Sequence, residues 1–128
     1  MGKQRFEDLI VWKKSYELSV NIYKRFLDCK DFGFKDQITR SSLSIPSNIS
    51  EGYERGSNKE FIHYLKIAKG SCGELRTQLY IAIEIQYLEN ETGSLLLERV
   101  KEISYILSSL IKKRQSFNYF FIICLFAL

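Results

Sequence analysis

Apolar residues along this chain recur at intervals of three and four, the spacing of amphipathic α-helices. Four stretches show this spacing and predict helices over Glu7–Leu27, Phe34–Glu54, Asn58–Leu88 and Ser94–Arg114. Only short connections separate them. Such a series favours an all-α fold, an antiparallel up-down-up-down four-helix bundle.

The third predicted helix has the most regular pattern of the four. Its apolar residues alternate spacings of four and three, as in the seam of packed helices; they are Phe61, Leu65, Ala68, Cys72, Leu75, Leu79 and Ala82. A second apolar face lies nearly opposite and consists of Ile67, Ile81, Ile85 and Leu88. This helix is therefore either the buried centre of the monomer or in contact with another subunit. We favour the subunit contact.

The same spacing predicts the buried faces of the first and fourth helices. In the first helix the predicted face consists of Leu9, Trp12, Tyr16, Val20, Tyr23 and Phe26. In the fourth it consists of Leu96, Val100, Ile103, Leu107 and Leu110. Between the first two helices, Phe32 and Phe34 are expected to cover one end of the bundle.

The second predicted helix has an unusual polar stripe. Its inner side consists of Ile38, Ser42, Ile45, Ile49 and Gly52, and the opposite stripe of Arg40, Ser44, Asn48, Glu51 and Arg55. Small polar groups suit hydrogen bonding between closely packed helices better than contact with water. Pro46 predicts either a kinked helix or two short helices broken at residues 44–46. The apolar spacing passes through Pro46 unchanged, which favours one kinked helix.

Two local signals concern the third helix. Ser57 and Glu60 have the spacing of a capping box, which predicts its start. Gly70 and Gly73 lie in its interior, where each costs about 1 kcal/mol relative to Ala. Equal counting from the preceding turn places Ala68–Cys72 level with Arg40–Ser44, so we expect the glycine-rich part of the third helix to pack closely against the second helix. A phosphate site is disfavoured because phosphate-binding glycines lie at a helix N-terminus.

The same counting brings Arg40 and Glu74 to within about one helical turn of each other. We therefore predict an ion pair between the second and third helices, supported by Ser44 and Asn48, that sets their register. In the alternative, Glu74 lies on the outer apolar face and serves a neighbouring subunit.

Composition and cysteine content narrow the class of protein. The 128 residues predict one domain, and a net charge of +4, from 19 basic and 15 acidic residues, is compatible with nucleic-acid binding without being diagnostic. Cys29, Cys72 and Cys124 contain no CxxC pair, which predicts a reducing, cytoplasmic location without a disulfide framework. The polar N-terminal residues do not resemble a signal peptide.

Catalytic and metal-binding patterns are incomplete in the sequence. Glu60 and His63 form a Glu-x-x-His, the unit that di-iron helical bundles use twice. His63 is the only histidine, so the second copy is missing and most zinc sites are excluded. Neither a Walker A nor a GxGxxG pattern is present. We predict no catalytic residue, cofactor, metal or small-molecule substrate, and place His63 on the surface or at a helix interface.

Basic residues offer a better binding hypothesis. The candidate nucleic-acid contacts are Lys13, Lys14, Lys24, Arg25, Lys112, Lys113 and Arg114. A single bundle would carry only a weak positive field. A ring of subunits would multiply it and could hold RNA or DNA phosphates without reading their sequence.

The C-terminal residues form a separate segment. We assign residues 1–115 to the bundle and residues 116–128 to an apolar tail, FNYFFIICLFAL after Ser116. The tail continues the spacing of the fourth helix and is expected to extend it. It is shorter than the roughly 17–25 residues that span a bilayer. Three alternatives remain for this apolar tail. It is buried in an oligomer, it is held against a membrane surface, or it is an accident of the sequence at the C-terminus.

Most of the chain, from Phe6 to Leu110, resembles a known family. These are the four-helix bundle proteins encoded within intervening sequences of bacterial ribosomal-RNA genes, formerly labelled S23 ribosomal proteins. The specific parts are Arg-x-x-x-Ser-Ile-x-x-Asn-Ile-x-Glu-Gly at Arg40–Gly52 and Ala-x-Gly-Ser-x-x-Glu-Leu at Ala68–Leu75. The motif residues in this chain are Arg40, Ser44, Asn48, Glu51, Gly52, Gly70, Ser71 and Glu74.

The resemblance implies a bundle that assembles as a ring, often a homopentamer, without known enzymatic activity. A related branch, the accessory variability determinant of diversity-generating retroelements, binds nucleic acid and a reverse transcriptase through a basic surface. The expected function is thus an oligomeric, nucleic-acid-binding protein. The alternative is a protein-binding accessory factor that never touches nucleic acid. The tail departs from the family, whose members usually end soon after the fourth helix.

Overall fold

The structure, a computed structural model, describes residues 2–127, apart from the side chains of residues 118–121. A short 3₁₀ turn at Phe6–Asp8 precedes four helices, which are α1 (Ile10–Arg25), α2 (Phe32–Glu54), α3 (Asn58–Glu84) and α4 (Asn90–Phe126). Helix α2 packs between α1 and α3, and α4 packs against α3 and α1. Each helix thus has two neighbours, which confirms the predicted four-helix bundle.

The core follows the predicted pattern in three of the helices. All seven residues of the α3 seam are buried, and so is the predicted inner side of α2. In α4 four of the predicted residues are buried and Leu110 is half-buried. Burial of the Leu, Ile, Val and Phe side chains in these faces, each contributing about 1.5–3 kcal/mol, supplies the main stabilisation of the bundle.

The buried face of α1 differs from the prediction. Its core residues are Val11, Leu18, Ile22 and Phe26, joined by buried Ser15 and Ser19. Tyr16, Val20 and Tyr23, which were predicted to be buried, are exposed. The inner face is therefore rotated by about a quarter of a turn from the predicted one.

Two buried serines on the inner face of α1 have hydrogen-bond partners for their hydroxyl groups. The Ser15 hydroxyl donates to the Trp12 carbonyl at 3.0 Å, and the Ser19 and Ser42 hydroxyl oxygens lie 3.2 Å apart, between α1 and α2. With their polar groups satisfied, these small side chains occupy the core at low cost. The larger tyrosines of α1 keep their hydroxyls in water.

Helices α2 and α3 approach each other closely at Gly52. A Cβ on Gly52 would lie 2.5 Å from the Tyr64 Cβ, so only glycine fits. Further along, Ser41 donates a hydrogen bond to the Gln78 side chain across the same contact. Buried Pro46 lies inside a continuous α2, and the alternative of two short helices is therefore wrong.

The predicted close approach at Gly70 and Gly73 is wrong. Both glycines are exposed, and a Cβ on either would have no atom within 4 Å. They occupy the outer surface of α3, because the α3 seam turns Ser71 and Gln78 toward α2 instead. The level of the contact along the two helices was predicted correctly, but the residues that make it were not.

The helix ends combine predicted and unpredicted features. The Ser57 hydroxyl accepts from the Glu60 backbone N–H at 3.1 Å, as predicted, and Gly56 before it has a φ of +83°, which favours glycine. Helix α4 begins four residues earlier than predicted, at Asn90, because its first turn packs on α3. There Gly93 is buried against Ile83, with no room for a Cβ.

The two phenylalanines of the first connection have different environments. Phe34 packs against Phe26 and Tyr87, with ring centroids 5.9 and 5.4 Å apart, and covers the end of the bundle as predicted. Phe32 is 73% exposed and does not cover the end of the bundle, so the prediction for this residue is wrong.

The predicted helical extension of α4 is confirmed, since α4 continues to Phe126 without a break. Ile122, Ile123, Leu125 and Phe126 on this extension are exposed. Among the described residues, no helix combines the length and apolar character needed to cross a membrane.

We predict that Gly52→Ala destabilises the protein by about 1–3 kcal/mol, because the added methyl group must push α2 away from α3 at Tyr64. Urea unfolding followed by circular dichroism measures the change.

Gly73→Ala is the matched control. It adds the same methyl group in open space within an exposed helix, and should raise the free energy of unfolding by up to about 1 kcal/mol. Equal effects of the two substitutions would contradict the close approach at Gly52.

Candidate nucleic-acid interface

The small polar residues of α2 form the contact with α3. Ser44 and Ser71 share a hydrogen bond with their hydroxyl oxygens 2.6 Å apart. The Asn48 side-chain amide donates to the Ser44 carbonyl at 2.7 Å and to the Ser44 hydroxyl at 3.1 Å. Ser44 and Ser71 therefore join the two helices, and Asn48 holds Ser44 in place from the next turn of α2.

The predicted ion pair between Arg40 and Glu74 is absent, and the prediction is wrong. Arg40 instead pairs with Asp36, one turn earlier on α2, with Nε and Oδ1 3.1 Å apart. Glu74 accepts a hydrogen bond from Gln78 at 3.4 Å. The buried Gln78 side chain, which also bonds Ser41, connects the helices at this level while Arg40 extends into solvent.

Glu51 and Arg55 form a second ion pair along α2. Their side chains meet at 3.0 Å, and the Arg55 guanidinium lies 5.1 Å from the centroid of the Tyr64 ring. The hydrogen bond to Glu51 raises the pKa of Arg55 above its usual value. This pair covers the position where Gly52 meets Tyr64.

The predicted cations of α1 lie among acidic residues. Lys14 pairs with Glu102 of α4 at 2.7 Å. A groove between α1 and α4 contains Lys14, Lys24 and Arg99, but also Glu17 and Glu102. Lys13 and Arg25 are exposed elsewhere on α1. This mixture of charges is a poor match for a run of phosphates.

Lys112 lies in a groove of different character, which we call the α3–α4 groove. Its volume is about 430 Å³, and it is lined by Lys66, Lys69, Tyr105, Ser108, Ser109, Ile111 and Lys112. Its three lysines are exposed and form no ion pair within the described part of the chain. Tyr105 is 74% exposed. The groove combines free cations, an exposed aromatic ring and hydroxyl groups.

The last two predicted cations lie where α4 leaves the bundle. The Arg114 guanidinium lies 5.0 Å from the centroid of the Phe61 ring, and the Arg114 carbonyl accepts from the Asn58 amide at 3.0 Å. Arg114 is half-buried and fastens α4 to the start of α3. Lys113 is exposed.

Lys66 and Lys69 were missed as specific candidates. Both lie on α3, which runs antiparallel to α4, and the Asn58–Arg114 hydrogen bond shows the pairing of the two helices. Counting from that pair places both lysines beside Tyr105, at the same edge of α4 as Lys112. The sequence does not show which edge of α3 faces α4, so it does not show that Lys66 and Lys69 lie beside Lys112.

No metal centre accompanies this groove. His63 is exposed and makes an edge contact with the Tyr64 ring. Within residues 2–127, no three His, Cys, Asp or Glu side chains are arranged to hold a metal ion.

Comparison with known proteins agrees with the arrangement of the helices. The family model for the 23S rRNA-intervening sequence protein matches residues 7–109. The chain belongs to this family. A crystal structure from Bacteroides thetaiotaomicron VPI-5482, of a protein with unknown function from the S23 ribosomal protein family, is 34% identical. The match has a TM-score of 0.76 and covers 80% of this chain and 99% of the other. No curated protein matches the chain.

The two family motifs lie within the matched part of the chain, and several of their residues lie at the contact between α2 and α3. Both motif runs fall within residues 7–109, and their hydrogen-bonded members lie at the α2–α3 contact. The extension of α4 lies outside the matched residues. The family pattern therefore corresponds to the bundle.

We predict that Ser41 and Gln78 are energetically coupled across α2 and α3, because their side chains hydrogen-bond in a buried position. A double-mutant cycle of Ser41→Ala and Gln78→Met should give a coupling of about 0.5–1.5 kcal/mol by chemical unfolding.

The pair Arg40→Met and Glu74→Gln is the control cycle. These residues do not contact, so their effects should add to within about 0.5 kcal/mol. Coupling in the control cycle but not in the test cycle would overturn our account of the helix register.

Proposed function

We propose that the protein is a non-enzymatic, oligomeric bundle of the cytoplasm that binds nucleic acid through the α3–α4 groove. The observation that carries this proposal is a set of three lysines around an exposed tyrosine, none of which forms an ion pair among the residues that the structure describes. Lysines neutralise phosphates and release counterions, whereas an aromatic ring stacks on a base without reading its identity. The groove therefore suits a single strand bound without strong sequence preference.

One groove provides few phosphate contacts, so useful affinity requires several copies. Each groove adds about three contacts, and linking grooves in one assembly multiplies their effect. The outer face of α3 supports self-association, because Ile67, Ile81 and Ile85 are between 40% and 46% exposed. These three residues lie on one side of the helix, with Ile81 and Ile85 one turn apart at its C-terminal end, and we call them the apolar strip. We propose a homo-oligomer, with a pentamer favoured by the family resemblance.

A second function is supported by a different surface. Tyr16, Val20 and Tyr23 form an exposed stripe along α1, and the Tyr16 ring stacks on Trp12 with centroids 5.1 Å apart. Tyrosine and tryptophan are enriched at the centres of protein interfaces. A protein partner, such as the reverse transcriptase implied by the resemblance, would dock here. In that case the lysines serve only as a solvated surface.

We predict that replacing Lys66, Lys69 and Lys112 with Gln weakens binding to a single-stranded RNA or DNA oligonucleotide. The slope of log affinity against log salt is negative for a protein that neutralises phosphates. Because up to three phosphate contacts are lost in the variant, the magnitude of this slope should decrease by about two. Fluorescence anisotropy of a labelled oligonucleotide at several salt concentrations measures the slope.

The matched control removes the same charge from another surface, by replacing Lys13, Lys24 and Arg25 with Gln. Its salt slope should change by less than about one. Equal losses in the two variants would mean that net charge, not the groove, causes binding. No binding by the native protein would favour the protein-binding function.

We predict that Ile81→Glu with Ile85→Glu dissociates the oligomer, because each introduces a charge into the proposed apolar contact. Light scattering should show the mass falling to that of the 15.1 kDa monomer. Replacing Leu27 and Leu95 with Glu is the control, because both are exposed outside this strip, and it should leave the mass of the oligomer unchanged. A native protein that is already monomeric would refute the proposed assembly.

A further inference from the structure

The extension of α4 is the largest feature that the nucleic-acid proposal leaves unexplained. Helix α4 has 37 residues, and Phe117–Phe126, which we call the apolar extension, continues it past the bundle. Its only polar groups in sequence are the Asn118 amide and the Tyr119 hydroxyl. Phe126 is 87% exposed and Leu125 is 59% exposed. The remainder of the bundle does not cover them.

The distribution of apolar residues limits what can cover the extension. An amphipathic helix has one apolar stripe and docks into a groove, whereas a helix that is apolar on every side requires apolar surroundings on every side. Phe117 and the consecutive residues Ile122 and Ile123 face different directions, and all three are exposed. A groove on one partner would leave some of these side chains in water. The hydrocarbon of a bilayer surrounds all of them.

The length of the extension fits one leaflet. Ten helical residues span about 15 Å, which is half of the roughly 30 Å hydrocarbon thickness of a bilayer.

Cations lie where the extension begins. Lys112, Lys113 and Arg114 lie three to five residues before Phe117, and the Asn58–Arg114 hydrogen bond places Lys59 at the same end of the bundle. These four residues form no ion pair within the described part of the chain. We call them the basic collar. Cations at the base of an apolar helix complement anionic lipid headgroups.

We propose that the apolar extension inserts into one leaflet of an anionic lipid bilayer, with the basic collar at the headgroups. Insertion is complete when the end of the bundle reaches the surface. The protein is then attached to one face of the membrane. An assembly of several copies would present several extensions together and bind more tightly than one copy.

Vesicle binding tests the proposal with the full chain. Sedimentation with vesicles of phosphatidylcholine and phosphatidylserine should recover the protein, and pure phosphatidylcholine should recover less. Replacing Ile122, Leu125 and Phe126 with Ser should weaken binding by at least about tenfold, because the inserted apolar area falls. The control replaces Leu27, Leu43 and Leu95, which are exposed on the bundle, with Ser and should change binding by less than about twofold.

A second readout reports insertion directly. Cys124 is exposed on the extension, whereas Cys72 is buried and burial raises its thiol pKa to about 12, so Cys72 resists labelling at neutral pH. With Cys29→Ser, an environment-sensitive fluorophore can be attached selectively at Cys124. Its emission should shift to the blue on addition of anionic vesicles. The Lys59→Gln and Lys113→Gln variant should require more vesicles for the same shift.

Two results would overturn the proposal. The first is a native chain that binds neither vesicle type. The second is a Ser-substituted extension that lowers the mass of the oligomer while leaving vesicle binding unchanged. That result would place the extension between copies of the chain.

Discussion

The close approach of α2 to α3 is the constraint on which the rest of the bundle depends. Gly52 lets the two backbones meet at Tyr64, and hydrogen bonds between Ser41 and Gln78 and between Ser44 and Ser71 occupy the levels beyond it. Small side chains allow the short distance, and the hydroxyls of Ser41, Ser44 and Ser71 find hydrogen-bond partners across it. Direct polar contacts of this kind specify one register more strictly than apolar side chains, which tolerate sliding.

This contact determines which surfaces of α3 remain outside. With Ser71 and Gln78 turned toward α2 and the apolar seam turned inward, α3 directs Lys66 and Lys69 toward the edge shared with α4. The same orientation leaves the apolar strip containing Ile81 on the outside. The groove proposed for nucleic acid and the strip proposed for self-association therefore occupy different sides of one helix. A subunit contact through the strip leaves the groove accessible.

The bundle and the apolar extension divide the chain into two physical parts. Residues 7–109 match the family and contain the packed core, with the serine-mediated contact between α2 and α3. The extension belongs to the same continuous helix, and its described apolar side chains, such as Phe117, Ile122 and Phe126, are exposed. Arg114, which stacks on Phe61 and bonds Asn58, is the last residue of α4 with such contacts to α3 among the described side chains. The change from packed to unpacked helix occurs immediately after it.

The sequence by itself determined the four helices, the α3 seam, the inner side of α2 and the start of α3 at Ser57. Each depends on local spacing or on capping chemistry, which a single helix carries in its own residues. Only the tertiary structure decided the inner face of α1, because two stripes of α1 have helical spacing. The structure buries the one containing Ser15 and Ser19, whose neighbours satisfy their hydroxyls.

The errors at Gly70, Gly73 and Arg40 have a common origin. Counting along two helices predicts their relative level, but the rotation of each helix about its axis depends on packing against all of its neighbours at once. That rotation turned the two glycines outward and left Arg40 nearer to Asp36 than to α3. It also brought Lys66 and Lys69 of α3 beside Lys112 of α4. Spacing within a helix is local chemistry, whereas a site shared by two helices exists only after they have packed.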